Sequence, residues 1–122
     1  MSKKKILIFD DDKVILEVIS IIFEEGGYEV EISETSHDII QKVSAFQPDV
    51  ILMDNWIPNI GGVEATKLLK SHEEYKNIPV IYVTANNDIV ALAKSAQADD
   101  FVAKPFNLED LEEKVAKHIK GE

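Results

Sequence analysis

Several short apolar runs in this sequence each end in a side chain able to do chemistry. Lys5-Ile6-Leu7-Ile8-Phe9 runs into Asp10-Asp11-Asp12, and Val50-Ile51-Leu52-Met53 runs into Asp54. Val80-Ile81-Tyr82-Val83 is followed by Thr84, and Phe101-Val102-Ala103 by Lys104. Runs this short and this apolar read as strands buried on both faces. In open parallel sheets, ligands bind outside the carboxyl ends of the strands. Singly, each residue has an ordinary explanation as a helix cap, a loop opener or a solvated charge. Together they put two or three carboxylates, a hydroxyl and an ammonium at one end of one sheet.

Such a cluster has an electrostatic requirement. Two like unit charges about 4 Å apart cost about 4 kcal/mol at an effective dielectric near 20, so the carboxylates need a cation or a raised pKa. Oxygen-only ligands with open positions suit Mg²⁺, which retains waters and takes one or two carboxylates plus phosphate. Lys104 and Thr84 suit phosphate oxygens. Mg²⁺, a nucleophilic Asp, a Lys and a Thr make a phosphoryl-transfer site.

The intervening segments must carry these strand ends to one place. Asp12 can cap a helix with Ile15, Val18, Ile19 and Ile22 on one stripe, stopped by Gly26-Gly27. Tyr28-Glu29-Val30-Glu31-Ile32 alternates as a strand nearer the sheet edge would. Ser36 can cap a second helix with Ile39, Ile40, Val43 and Phe46 inward, closed by Pro48. A third helix follows Gly62, with Val63, Leu68 and Leu69 apolar and Lys67, Lys70 and Glu73 exposed. A fourth is expected over 88–98. Asn107 can cap a last helix with Leu108, Leu111, Val115 and Ile119 inward, acidic at its start and basic at its end. The pattern is βα five times over, which implies a doubly wound parallel sheet covered on both faces with right-handed crossovers.

A chain of 122 residues fits one domain, expected to span 1–122 without a second. Its 45% hydrophobic content argues against disorder. The absence of cysteine leaves no disulfide framework and no thiolate metal site, and points to the cytoplasm. Lys3-Lys4-Lys5 precedes too few apolar residues for a signal peptide, and no apolar run is long enough to insert into a membrane. A net charge of −10 argues against a nucleic-acid face.

The segments Ile8-Phe9-Asp10-Asp11-Asp12, Val50-Ile51-Leu52-Met53-Asp54, Ile57-Pro58, Gly62, Val83-Thr84-Ala85 and Lys104-Pro105-Phe106 resemble the receiver domain of two-component response regulators, and the resemblance covers essentially the whole chain. It implies a flavodoxin-like sheet of order 2-1-3-4-5, as in the chemotaxis member of the same family. It implies that Asp54 accepts a phosphoryl group from a phosphohistidine on a sensor histidine kinase or a histidine phosphotransfer protein. Asp10, Asp11, Asp54 and the backbone carbonyl of Trp56 would hold Mg²⁺. Thr84, with small Ala85 beside it, and Lys104 would engage the acyl phosphate. Phe101 would occupy the aromatic switch position, and the Lys104–Pro105 peptide would be cis. The chain would be a monomeric, single-domain, chemotaxis-regulator-like switch that assists its own phosphotransfer and dephosphorylation. Its signal would reach a protein target through the fourth helix, fifth strand and last helix. Departures from the family pattern are Ile57 before Pro58, Gly61 in place of an acidic residue, the large Trp56 beside the phosphoacceptor, and Phe101 where Tyr is commoner.

Two alternatives remain open on the sequence. Phe9-Asp10-Asp11-Asp12-Lys13-Val14 also resembles the first motif of haloacid-dehalogenase-type phosphatases, in which Asp10 would be the nucleophile and Asp54 would have no task. A receiver-like module that binds partners without phosphorylation is the other. His37, His72 and His118 lack metal-ligand spacing and are expected to be solvated. The first helix carries more apolar surface than one packed stripe requires, and Leu16 and Phe23 are candidates for a docking patch.

Overall fold

Parallel pairing gathers the apolar runs into one sheet. The computed structural model describes residues 4–10, 12–34, 38–54, 62–84, 99–103 and 108–119. Among them are strands β1 (Lys5–Phe9), β2 (Glu29–Ser33), β3 (Val50–Asp54), β4 (Val80–Thr84) and β5 (Asp100–Ala103), all parallel, in the order β2-β1-β3-β4-β5. Helices α1 (Lys13–Glu25), α2 (Ile39–Phe46), α3 (Gly62–Lys70) and α4 (Leu108–Ile119) alternate with them. The helix expected over 88–98 lies outside the described residues, as do its start at Asp88 and the proposed caps Ser36 and Asn107.

Side-chain alternation divides the core between the two faces of the sheet. Leu7, Ile51, Met53, Val80 and Tyr82 pack on one face with Ile39, Val43 and Phe46 of α2 and Ala65 and Leu69 of α3. Ile6, Ile8, Leu52, Ile81, Val83 and Val102 pack on the other with Leu16, Ile19 and Phe23 of α1 and Leu111, Val115 and Ile119 of α4. Strands with both faces covered need no polar alternation, which is why β1, β3 and β4 are continuous apolar runs. Edge strand β2 differs: Glu29, Glu31 and Ile32 are exposed and only Ser33 is buried.

Helix ends follow local chemistry. Asp12 caps α1, its Oδ1 accepting from the N–H groups of Val14 (2.9 Å) and Ile15 (3.3 Å). At the other end Gly27 has φ +96, a conformation suited to glycine. Gln47 closes α2 in the left-handed region at φ 55, directly before Pro48. Asp38 is the N-cap of α2 and makes no side-chain capping bond.

The buried stripe of α1 is rotated from the expected one. Leu16, Ile19 and Phe23 are buried, whereas Val18 is 44% exposed. The helix has apolar residues on nearly every side, so periodicity alone does not choose between adjacent stripes; its approach to β1 and β2 does. The docking patch expected at Leu16 and Phe23 is therefore core, and the exposed apolar residues are Val14, Val18 and Ile21.

Lys70 also departs from its expected solvation, with a side chain only 8% exposed. Its Nζ donates to the carbonyls of Lys76 (3.1 Å) and Ile78 (2.9 Å) and to Asp99 Oδ2 (2.7 Å). The same oxygen accepts from the Val80 N–H (2.8 Å). One ion pair thus ties the end of α3, the turn before β4 and the entrance to β5. Asp99→Ala leaves a nearly buried ammonium with only carbonyl partners. It is expected to lower stability by about 1–3 kcal/mol in urea denaturation, and Lys70→Met by less.

Candidate functional site

Parallel strands in register present their carboxyl ends together. Phe9 pairs with Met53, so Asp10 and Asp54 follow partnered residues on adjacent strands. Asp54 pairs in turn with Val83, immediately before Thr84, and Thr84 pairs with Ala103, immediately before Lys104. Asp10, Asp54 and Thr84 are thereby brought to the carboxyl end of the sheet by backbone pairing alone. Asp11, Trp56, Ala85, Lys104 and the Lys104–Pro105 peptide lie outside the described residues.

Asp10 is 3% exposed, and its Oδ1 accepts the Asp12 N–H at 3.0 Å. Its own N–H donates to the Ser33 carbonyl at 3.1 Å, extending the β1–β2 pairing by one residue. The turn that caps α1 therefore also orients the Asp10 carboxylate, which links helix entry to site geometry. A carboxylate this buried requires polar or cationic compensation.

The donor set fits Mg²⁺ in kind: an inward, oriented carboxylate on β1, next in register to a strand-end carboxylate on β3, with oxygen donors only. Among the described residues no group of three or more His, Asp and Glu side chains is gathered for a metal. Asp11 falls outside those residues.

Phe101 is half-buried against the core shared with α2 and α3, and its register partner is Tyr82. Sequence reasoning missed the polar cluster beside it. Asp100 Oδ1 accepts from the Phe101 N–H (2.8 Å) and from Lys114 Nζ (3.0 Å), while Oδ2 lies 3.0 Å from His118 Nε2. An ionised carboxylate only accepts, so Nε2 carries the proton. His118 is thus a partnered side chain on α4, not the solvated one expected. The signal was available in the i, i+4 spacing of Lys114 and His118 on one helix face, but their acceptor on β5 is a tertiary partner. His72 packs against Tyr75 with ring centroids 5.8 Å apart; His37 lies outside the described residues.

The chain matches a family model described as a response regulator receiver domain over residues 6–116. It is 37% identical over 117 residues to the CAI-1 autoinducer sensor kinase/phosphatase of Vibrio cholerae, covering 93% of this chain and 17% of that protein. Among solved structures, it is similar to a chemotaxis response regulator of Vibrio cholerae, with a TM-score of 0.87, 27% identity and coverage of 96% of this chain and 99% of that one. The receiver domain of a sensor histidine kinase from Pseudomonas aeruginosa, with a magnesium ion coordinated in its active-site cleft, has a TM-score of 0.89, 26% identity and coverage of 98% and 99%. The chain spans only 17% of the first curated relative and about half of a DNA-binding response regulator of Mycolicibacterium smegmatis, of which it covers 51% at 26% identity and 97% of its own length.

Burial pushes the Asp100 carboxyl up, but hydrogen bonds from His118, the Phe101 N–H and Lys114 outweigh it and hold the group below its ordinary value. The stabilisation is therefore complete above the unfolded value of about 3.9 and is lost as pH falls through the lower folded value. Asp100→Asn is expected to make the acid limb of a stability-against-pH curve shallower below about pH 4. Urea midpoints measured from pH 7 downward check this, and an unchanged slope would contradict it.

Proposed function

The chain belongs to the response regulator receiver domain family, and on that premise we propose that Asp54 is its phosphoacceptor, charged from a phosphohistidine of a sensor histidine kinase or a histidine phosphotransfer protein. The family's domains are the phosphorylation-activated switches of two-component signalling. The observation that carries the assignment is the strand register, in which Asp54 stands between the neighbouring strand ends that bear Asp10 and Thr84. A haloacid-dehalogenase-type reaction would use Asp10 instead. Asp10 has one oxygen already engaged by the Asp12 N–H and is turned into the protein, which favours a supporting role.

A carboxylate oxygen of Asp54 attacks the phosphorus, the P–O bond forms as the P–N bond breaks, and the imidazole leaves and regains its proton from solvent. Asp10, Asp11, Asp54 and the Trp56 carbonyl are the residues that would hold Mg²⁺. When bound, the ion offsets charge on the transferring phosphoryl oxygens. Lys104 pairs with the acyl phosphate, and the Thr84 hydroxyl donates to it, with Ala85 small enough to let that loop follow. Water attack on the acyl phosphate returns the carboxylate, so the chain assists its own charging and discharge and turns over no separate substrate. The inward shift of Thr84 lets Phe101 change place, and the surface formed by residues 88–98, β5 and α4 carries the signal to a protein target.

The partner kinase or phosphotransfer protein finds its apolar contact on α1. Val14 is 70% exposed, and Val18 and Ile21 continue the same side of the helix from the capping residue Asp12. The net charge of −10 supports a protein partner over nucleic acid for this stretch, and a monomer in the cytoplasm is the assembly proposed. Among the described residues no helix is long and apolar enough to cross a membrane.

Acetyl phosphate with Mg²⁺ is expected to add one phosphoryl group to the wild-type mass and none to Asp54→Asn. Full labelling of Asp54→Asn would instead move the acceptor to Asp10. Thr84→Ala is expected to accept phosphate yet lose the NMR shift changes at Phe101 and over 88–98. Wild-type-sized changes in that variant would break the proposed coupling.

A further inference from the structure

Phe101 lacks the hydroxyl by which a tyrosine at its position could be tethered through a hydrogen bond, yet its ring has a charged neighbour. Lys114 Nζ stands 5.9 Å from the ring centroid, within cation–π range. β5 is an edge strand. Asp100 and Val102 belong to the α4 side of the sheet, and Phe101 to the opposite side. Lys114 therefore reaches around the free edge of the sheet to meet the ring.

The ammonium is not left to wander. Asp100 Oδ1 holds it at 3.0 Å and holds the Phe101 N–H at 2.8 Å, while His118 engages the other carboxylate oxygen. One carboxylate thus binds the backbone of Phe101 and the cation that stands over its ring. We propose that Lys114 is a positioning residue for Phe101. Pinned by Asp100, its ammonium stabilises the half-buried ring position and biases the switch against the phosphorylated state. This rests on Phe101 being the switch residue of a receiver phosphorylated at Asp54. A contact made in only one of two states shifts their equilibrium by its differential strength, and this contact requires the ring to lie beneath the ammonium. The Lys114 side chain is 35% exposed, so it can swing into solvent once the ring leaves.

The test uses the full chain with ring-¹³C phenylalanine, reading the Phe101 ring signal before and after acetyl phosphate with Mg²⁺, with intact mass measured in parallel. In unphosphorylated Lys114→Met the signal is expected to move toward its phosphorylated position, by about a two- to fivefold rise in the ratio of the two states. Lys114→Arg keeps a cation that can stack on the ring and should stay at the wild-type position. Asp100→Asn should move the signal in the same direction as Lys114→Met, and the double variant should move it no further than Lys114→Met alone. Asp100→Asn also serves should Lys114→Met fail to fold. If wild type gains phosphate and its ring signal moves, but Lys114→Met and Asp100→Asn coincide with wild type, the positioning role is overturned. A shift in Lys114→Arg as large as that in Lys114→Met overturns it too, since packing loss then suffices. A wild type that gains no phosphoryl mass overturns the Asp54 assignment itself, and the switch with it.

Discussion

Parallel pairing of β1 with β3, and of β3 with β4, is the constraint on which the rest depends. It forces the carboxyl ends of three central strands to one side and sets Asp10, Asp54 and Thr84 in successive strands by backbone register. No long-range side-chain recognition is needed to assemble the cluster. The register in turn is held because slipping a strand by one residue would turn its inward side chains to the opposite face. Here both faces are full: Leu52 points among α1 and α4 residues, while Ile51 and Met53 point among those of α2 and α3. The apolar core and the acidic site are therefore two consequences of one alignment.

The strand end that carries Asp10 is tied to its surroundings by hydrogen bonds. The Asp10 carboxylate is fixed by the Asp12 N–H, and Asp12 itself spends its side chain on the first turn of α1. Asp10 and Asp12 thus couple the end of β1 to the start of α1. Clusters of opposite charge hold the far edge of the sheet. Lys70 and Asp99 close the turn before β4 and the entrance to β5. Asp100, Lys114 and His118 bind β5 to α4. Both pairs act at Asp99 and Asp100, directly before Phe101, so the edge strand is anchored at its beginning.

The surface divides in a similar way. α1 turns Leu16, Ile19 and Phe23 into the core and leaves Val14, Val18 and Ile21 outside. Val14 follows the capping Asp12 by two residues, so the exposed apolar side of α1 begins at the end of the sheet that carries Asp10. On the opposite edge, β2 carries Glu29 and Glu31 outward, and charges on an edge strand discourage edge-to-edge pairing with another sheet.

The alternation of apolar runs with amphipathic segments was legible in the sequence because strands covered on both faces read differently from helices, and so was the convergence of Asp10, Asp54 and Thr84. Both follow from local periodicity and from the single rule that parallel strands share a carboxyl end. The breaks at Gly27 and Pro48 were legible for the same local reason. Only the tertiary structure decided which stripe of α1 is buried, because its apolar residues encircle the helix and the choice is made by what packs against it. Only the tertiary structure found that Lys70 is enclosed, since its partners are two carbonyls and a carboxylate 29 positions away. It likewise joined His118 and Lys114 to Asp100 across 18 and 14 positions. Charge pairs of that separation leave no periodic trace in a sequence: any acidic residue could answer any basic one until the sheet edge brings particular ones within 3.0 Å.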